Sequence, residues 1–179
     1  MVDHELPDTM RLHPLRQPVV GHAEFRAAMS AMASTVCVLT ARRGDEQIGR
    51  TVTSMLSLSA DPPTILVSVD IVSRMADVIA RTGGFSLAML AEDQAAVADA
   101  FAGRVEPDKR FASGSWGQWP SGHPMLLGAV TALDCSVVGS METGTHVLFA
   151  GAVIEAETFA DRLPLLWQRQ HYGGITPLD

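Results

Sequence analysis

Apolar and polar positions change rhythm several times along the chain, and each change marks an element. Up to about Val20, Pro7, Pro14 and Pro18 interrupt a segment without apolar periodicity, which predicts an N-terminal arm over residues 1–20. From His22 the period becomes helical: Phe25, Ala28, Met29 and Met32 fall at i, i+3, i+4 and i+7. Thr35 to Ala41 is β-branched and apolar, and Gly44–Asp45 predicts a hairpin after it. Strand signals continue from Ile48 to Ser59 and stop at Asp61-Pro62-Pro63. Thr64 to Val69 is a nearly continuous apolar run, the pattern of a strand buried on both faces.

A helix is expected next, with Ser73 as its cap, Met75, Val78, Ile79 and Thr82 on one face, and Gly83–Gly84 at its end. Phe85 to Leu90 reads as a strand and Glu92 to Phe101 as helical by composition. A glycine-, tryptophan- and proline-rich excursion runs from Gly103 to Pro124. Two long strand-like stretches, Ala129–Val138 and His146–Glu157, flank a hairpin at Met141-Glu-Thr-Gly144. On the first of them Leu133, Cys135 and Val137 face one way, Asp134 and Ser136 the other. Six or seven strands with few, irregularly placed helices do not make a regular βαβα sheet. They predict a mainly β fold, an antiparallel barrel with peripheral helices.

Composition narrows the function classes. At 179 residues the chain suits one domain with a full core. A net charge of −7, with basic residues scattered, argues against a nucleic-acid partner but leaves room for a small anion held by a few local donors. The two cysteines, Cys37 and Cys135, lie in apolar runs; they suit a reducing compartment and cannot build a disulfide framework. With no signal-type apolar region and no membrane-length run, a cytoplasmic protein is expected.

The common chemical motifs are missing. There is no Gly-x-Gly-x-x-Gly, no P-loop and no Gly-x-Ser-x-Gly elbow. The six histidines stand far apart, so no metal site is expected. Without a nucleophile–base pair, hard chemistry must come from a cofactor or be absent.

The ordered series of segments says more. It runs from Phe25-Arg-Ala-Ala-Met29 through Thr35-Val-Cys-Val-Leu-Thr40 and Gly49-Arg-Thr-Val-Thr-Ser54 to Ser57-Leu-Ser-Ala-Asp-Pro-Pro63. Leu66-Val-Ser-Val69, Ser73, Phe85-Ser-Leu-Ala-Met-Leu90, Phe101-Ala-Gly103, Asp108-Lys-Arg-Phe111 and Trp116 follow. Gly122-His-Pro-Met-Leu-Leu-Gly-Ala129, Leu133-Asp-Cys135, Gly144-Thr-His-Val-Leu-Phe-Ala-Gly151, Pro164-Leu-Leu-Trp-Gln-Arg169 and Tyr172 complete it. Each piece is weak alone, but in this order they resemble the flavin reductase-like, FMN-binding split-barrel family. The resemblance covers roughly Gly21 to Tyr172 and suggests one domain over residues 21–176.

That resemblance implies an antiparallel split β-barrel of the FMN-binding type, forming a homodimer with FMN or FAD in a groove at the interface. NADH or NADPH would stack on the ring and pass a hydride to it. The reduced flavin would then serve a partner flavin-dependent monooxygenase. Two other roles on the same fold stay open: a flavoprotein that keeps its FMN and acts on another organic substrate, or a non-enzymatic flavin-binding module. Nothing in the residues separates FMN from FAD or NADH from NADPH.

The resemblance also implies site residues. Arg50, Thr51, Val52, Thr53 and Ser54 would border the flavin, where hydroxyls and backbone N–H groups bind without bulk; a threonine-rich strand also has β propensity of its own. Ser68, Val69, Ser73 and Arg74 come next. Ser73 precedes a helix whose N–H groups suit a phosphate, and Arg74 adds a fork of donors, although an ordinary cap and a solvated arginine fit equally. Arg50 stands where the family has an apolar residue, either to supplement phosphate binding or to face solvent. Phe101, Ala102 and Gly103 would pass close to the ring, or form a helix end with a core phenylalanine. His146 is the candidate catalytic residue for nicotinamide handling, with Thr145 where the family often has an acid. Arg169 and Tyr172 would contact flavin or dinucleotide, or pack at the dimer interface. Ala88 replaces an asparagine common in its strand.

Overall fold

The computed structural model describes residues 17–176, so most of the expected N-terminal arm lies outside the described residues. The frame is a seven-stranded antiparallel sheet. Its strands are β2 (Cys37–Arg43), β3 (Glu46–Val52), β4 (Met55–Ala60), β5 (Pro63–Asp70), β6 (Gly84–Met89), β9 (Thr131–Glu142) and β10 (His146–Thr158). Their spatial order is β3-β2-β6-β9-β10-β5-β4. β3 and β4 are thus the opposite edges of the sheet, yet only Thr53 and Ser54 separate them in the chain. The three Cα steps from Val52 to Met55 span at most about 10 Å, so the sheet has to curl until its edges meet. They meet without pairing to each other, which is the split of a split barrel.

Inside the curl lies one core. Cys37, Leu39 and Ala41 of β2, Ile65, Val67 and Val69 of β5, Phe85 and Leu87 of β6 and Cys135 of β9 join Val147 and Phe149 of β10 there. The helix α2 (Arg74–Thr82) packs into it through Met75, Ala76, Val78 and Ile79. Ser73 caps this helix by accepting from the Ala76 N–H at 3.2 Å, and Gly83 ends it at φ +68°, as the sequence predicts. Burial pushes the Cys37 and Cys135 thiols up to about 12, so they act as small apolar groups.

A second core covers the outer face of β2 and β6. There Val36, Val38, Ala88 and Leu90 meet Val97 and Ala98 of α3 (Ala95–Asp99), together with Phe101, Trp119 and Leu126. The helical stretch expected over Glu92–Phe101 is a short 3₁₀ turn, α3, and a wide turn over Ala100–Arg104 that breaks at Gly103, φ +101°. The excursion after it holds a 3₁₀ segment, Pro107–Ala112, and a small hairpin, β7 (Trp116–Gln118) with β8 (Pro124–Leu126).

Three expectations change. β5 is not buried on both faces: Ile65, Val67 and Val69 enter the core, while Leu66 and Ser68 stay half-buried because nothing packs over their side. The hairpin at Met141–Gly144 turns later, with Met141 and Glu142 still in β9. A further three-stranded sheet pairs β1 (Ser34–Thr35), β11 (Leu166–Gln168) and β12 (His171–Gly173), bringing the strands beyond the six or seven anticipated. The helix α1 (His22–Ser30) forms as its period predicts, yet buries none of its residues. No helix among the described residues is long and apolar enough to cross a membrane.

The alternation of β9 holds: Leu133, Cys135 and Val137 join the inner core, and Asp134 turns outward. Asp134 is nevertheless fully buried, beside a covered polar group formed by Ser86, Trp119 and His123. Trp119 donates from Nε1 to Ser86 Oγ at 2.9 Å, and His123 Nδ1 accepts from the Arg42 N–H at 3.2 Å. An acceptor at Nδ1 requires the neutral ring. Burial accordingly pulls the His123 pKa below its ordinary value, outweighing the opposing pull of Asp134. Because the folded value is the lower one, the unfolded chain binds more protons as the pH falls below about 6.5. His123 therefore adds stability that is complete above that pH and is lost as pH falls through the folded value. The urea midpoint is expected to drop between pH 7.5 and 5.5, and to drop less in His123→Asn, which keeps an acceptor but does not titrate. Equal slopes in the two proteins would show that His123 is not the group responsible.

Candidate functional site

A candidate groove follows β3 to the split. At its centre is a cavity of about 280 Å³ walled by Arg50 to Ser54 on one side and Ser68, Val69 and Asp70 on the other, with His146 at its rim. Both walls come from strand ends: β3 runs out at Val52, and Asp70 of β5 lies opposite His146, the first residue of β10. Leu39 and Met75 form the floor. A second cavity, about 350 Å³, continues past Arg50 and Met75 to Ser73, Arg74, Arg110 and the Phe101–Gly103 turn. A third, about 330 Å³, opens on the other face of Thr51 to Thr53, toward Ala102, Asp99, Arg104, Trp167 and Tyr172. The same strand borders all three.

Hydrogen bonding decides which of these groups are available. Thr51 Oγ1 donates to the Ala98 carbonyl at 2.6 Å and Ser54 Oγ to the Ser68 carbonyl at 3.0 Å, leaving both hydroxyls only as acceptors. The Thr53 hydroxyl makes no hydrogen bond among the described residues and is exposed at the split. Ser73 Oγ donates to the Asp70 carbonyl while it caps α2. Arg74 is held on both sides. It forks onto Glu46 at 2.8 and 2.5 Å and also contacts Asp77, and these carboxylates are held below their usual range chiefly by their arginine hydrogen bonds. Arg50 makes no side-chain hydrogen bond or ion pair among the described residues.

His146 is exposed. Its Nδ1 lies 2.9 Å from Thr145 Oγ1, so a neutral hydroxyl orients the ring. Tyr172 donates to Asp99 Oδ1 at 2.7 Å; burial and that carboxylate push its pKa up to about 12. Arg169 differs from the other candidates. It occupies the tip of the β11–β12 hairpin at φ +48°, its N–H donating to the Ser30 carbonyl at 2.8 Å, and lines none of the three cavities.

Several groove residues escape a sequence reading. Met75 was expected only as a core residue, Asp70, Asp99 and Arg104 carried no signal of their own, and Arg110 lay in the Asp108–Phe111 segment of the resemblance with no role assigned to it. Gly49 did carry one, as a glycine inside a strand. A Cβ there would stand 2.3 Å from a Phe101 ring carbon, so the phenylalanine lies directly on the β3 backbone. The donor set suits a polar planar ligand with an anionic tail: a small open wall at Thr53, N–H groups along β3, and arginines at one end. It offers no clustered carboxylates or histidines for a metal among the described residues.

Comparison with known proteins agrees with this geometry. Residues 29–176 match the family model for the flavin reductase like domain. The reductase component of FADH(2)-dependent resorcinol hydroxylase from Rhizobium sp. (strain MTP-10005) is 35% identical over 155 residues, covering 86% of this chain and 87% of that protein. The FMN reductase (NADH) RutF of Ancylobacter novellus is 34% identical over 143 residues, 79% of each chain. Among solved structures, the styrene monooxygenase flavin reductase of Pseudomonas putida S12 superposes with a TM-score of 0.77 at 30% identity, over 87% of this chain and 99% of that one. The chain therefore belongs to the flavin reductase-like family, and its curled seven-stranded sheet is that family's split barrel.

Proposed function

We propose that this protein is an NAD(P)H-dependent flavin reductase, which passes a hydride from NADH or NADPH to FMN or FAD and supplies reduced flavin to a partner monooxygenase in the cytoplasm. The observation that carries the proposal is the single groove into which Arg50 to Ser54, Ser68, Val69 and His146 converge. Its relatives named as reductase components of hydroxylase and monooxygenase systems support the same role.

A flavin bound there supplies the ring that accepts the hydride, so the chain has to position reactants rather than provide an acid or base. The β3 backbone and the Thr53 hydroxyl are suited to grip the ring's polar edge, and Met75 and Leu39 give it an apolar floor. His146, oriented by Thr145, stands at the open rim where a second planar reactant enters. Phe25 and Met29 of α1, with Met32, are about half exposed and border a cavity that shares Thr53 with the groove. A second copy of the chain seated on this face would close the groove from outside, which supports a homodimer; a solution mass twice that of the chain is the corresponding measurement.

The reaction is tested by mixing the protein with NADH or NADPH and free FMN, FAD or riboflavin, and following the nicotinamide absorbance. Flavin-dependent oxidation is expected, and no turnover with any pair would overturn the proposal. His146→Ala is expected to lower kcat/KM for the dinucleotide by about ten-fold, the worth of one good hydrogen bond. Wild-type values in that variant would remove His146 from the site.

A further inference from the structure

We propose that Arg50 is the residue that recognises the phosphate of the bound flavin and makes the protein prefer phosphorylated flavins over riboflavin. This rests on the flavin-binding role proposed above, and it assigns the anionic end of the groove.

Charge distribution along β3 is uneven. The central cavity has Asp70 in its wall, and the cavity toward Tyr172 has Asp99, which neutralises Arg104 at 2.8 Å. The cavity at the Phe101–Gly103 turn has no carboxylate in its lining and three arginines. In a chain of net charge −7, that is a local reversal of sign. An anionic tail leaving the central cavity is repelled by Asp70 and drawn past Arg50 into this end.

The three arginines are not equivalent. Arg74 already spends its fork on Glu46 and a remaining donor on Asp77, so a phosphate there would have to displace two carboxylates. Arg110 has its Nε committed to the Val105 carbonyl at 3.1 Å. Arg50 has all its donors unused among the described residues, and it is the only arginine that lines both the central cavity and the arginine-rich one. A group bound between the two passes its guanidinium. Opposite Arg50, Gly103 at φ +101° has open space where a Cβ would stand, which leaves room for a phosphate between turn and strand. The long side chain of Arg50 on an exposed strand position has no packing role that would account for it.

Phosphate esters reach this site from two sources, the flavin and the nicotinamide dinucleotide, and the experiment separates them. Flavin fluorescence quenching gives Kd for FMN and for riboflavin without any turnover. In the Arg50→Met variant the preference for FMN over riboflavin is expected to fall at least about ten-fold, the worth of a charge-assisted hydrogen bond. Arg50→Lys is expected to keep most of the preference, and added salt to weaken FMN binding in the wild type more than in Arg50→Met. Equal losses for both flavins would overturn the proposal, since the arginine would then be serving the ring or the fold. An unchanged flavin preference with a raised KM for NADH would also overturn it, placing the dinucleotide's phosphate at Arg50. Should the wild type bind flavins but turn over none, the reductase role fails while the binding ratio still decides Arg50.

Discussion

Phe101→Ala is expected to lower the unfolding free energy by about 3–5 kcal/mol, the range for removing a buried phenylalanine, and to weaken flavin binding in the same step. Phe101 is 1% exposed and packs edge-on against Phe111, with ring centroids 5.1 Å apart, and against Trp116 at 5.4 Å. Its other face rests on Gly49, and the next two residues, Ala102 and Gly103, wall the groove. The ring thus clamps the wide turn to β3. The contact also makes a size-exchange test possible. Gly49→Ala alone should cost about 1–3 kcal/mol by overpacking, because its Cβ would sit 2.3 and 2.5 Å from the Phe101 ring. With Phe101 already trimmed to alanine the added methyl should cost much less, so the two changes should be strongly non-additive. Urea unfolding of the four proteins measures this, and additivity within about 0.5 kcal/mol would show that the ring does not rest on that backbone.

Phe85→Ala should be as damaging, about 3–5 kcal/mol, which for a chain of this size lowers the melting temperature by roughly 10 °C. Phe85 is fully buried on β6, and its ring fills the space that a side chain at position 151 of β10 would need. A Cβ on Gly151 would lie 2.5 Å from the ring and 2.9 Å from the Cys135 Cβ. The register of β9 against β10 slips by one residue just before Gly151, so the close approach is built into a bulge. This pair should not behave like the first. A smaller residue at 85 frees only one of the two contacts, so Gly151→Ala should remain costly in a Phe85→Leu background. Thermal melts of the single and double variants decide it; full rescue would mean that Cys135 can yield.

The longer elements were legible in the chain. β9 and β10 were readable as long strand-like stretches, with alternation across Leu133 to Val137 of β9, and α2 is bracketed by a serine cap and a left-handed glycine, signals that act within a few residues. β1, β11 and β12 were not, because strands of two or three residues have no period to detect and exist only through pairing across the chain. α1 shows the opposite mismatch, since its apolar stripe was plain but nothing among the described residues buries it. The groove divides in the same way. Arg50 to Ser54 were recognisable as a motif, whereas the engagement of the helix residue Arg74 depends on Glu46, 28 residues away at the start of β3. Resemblance could place Arg74 near a phosphate; only the fold shows where its charge is spent.

The opposite-edge placement of β3 and β4 has a consequence for how the protein acquires activity. The β2–β3 and β4–β5 hairpins are local and can form early, but neither contains a groove. The groove exists only when the five strands lying between those edges are in register and the sheet has closed on itself. Its assembly therefore waits on the longest-range pairings, the slow step of a β topology. Ligand binding in the groove would then report completed folding, and a flavin bound there as proposed would stabilise the whole barrel with the logarithm of its concentration over Kd. Fraying of either edge strand would silence the protein while most of its sheet was still intact.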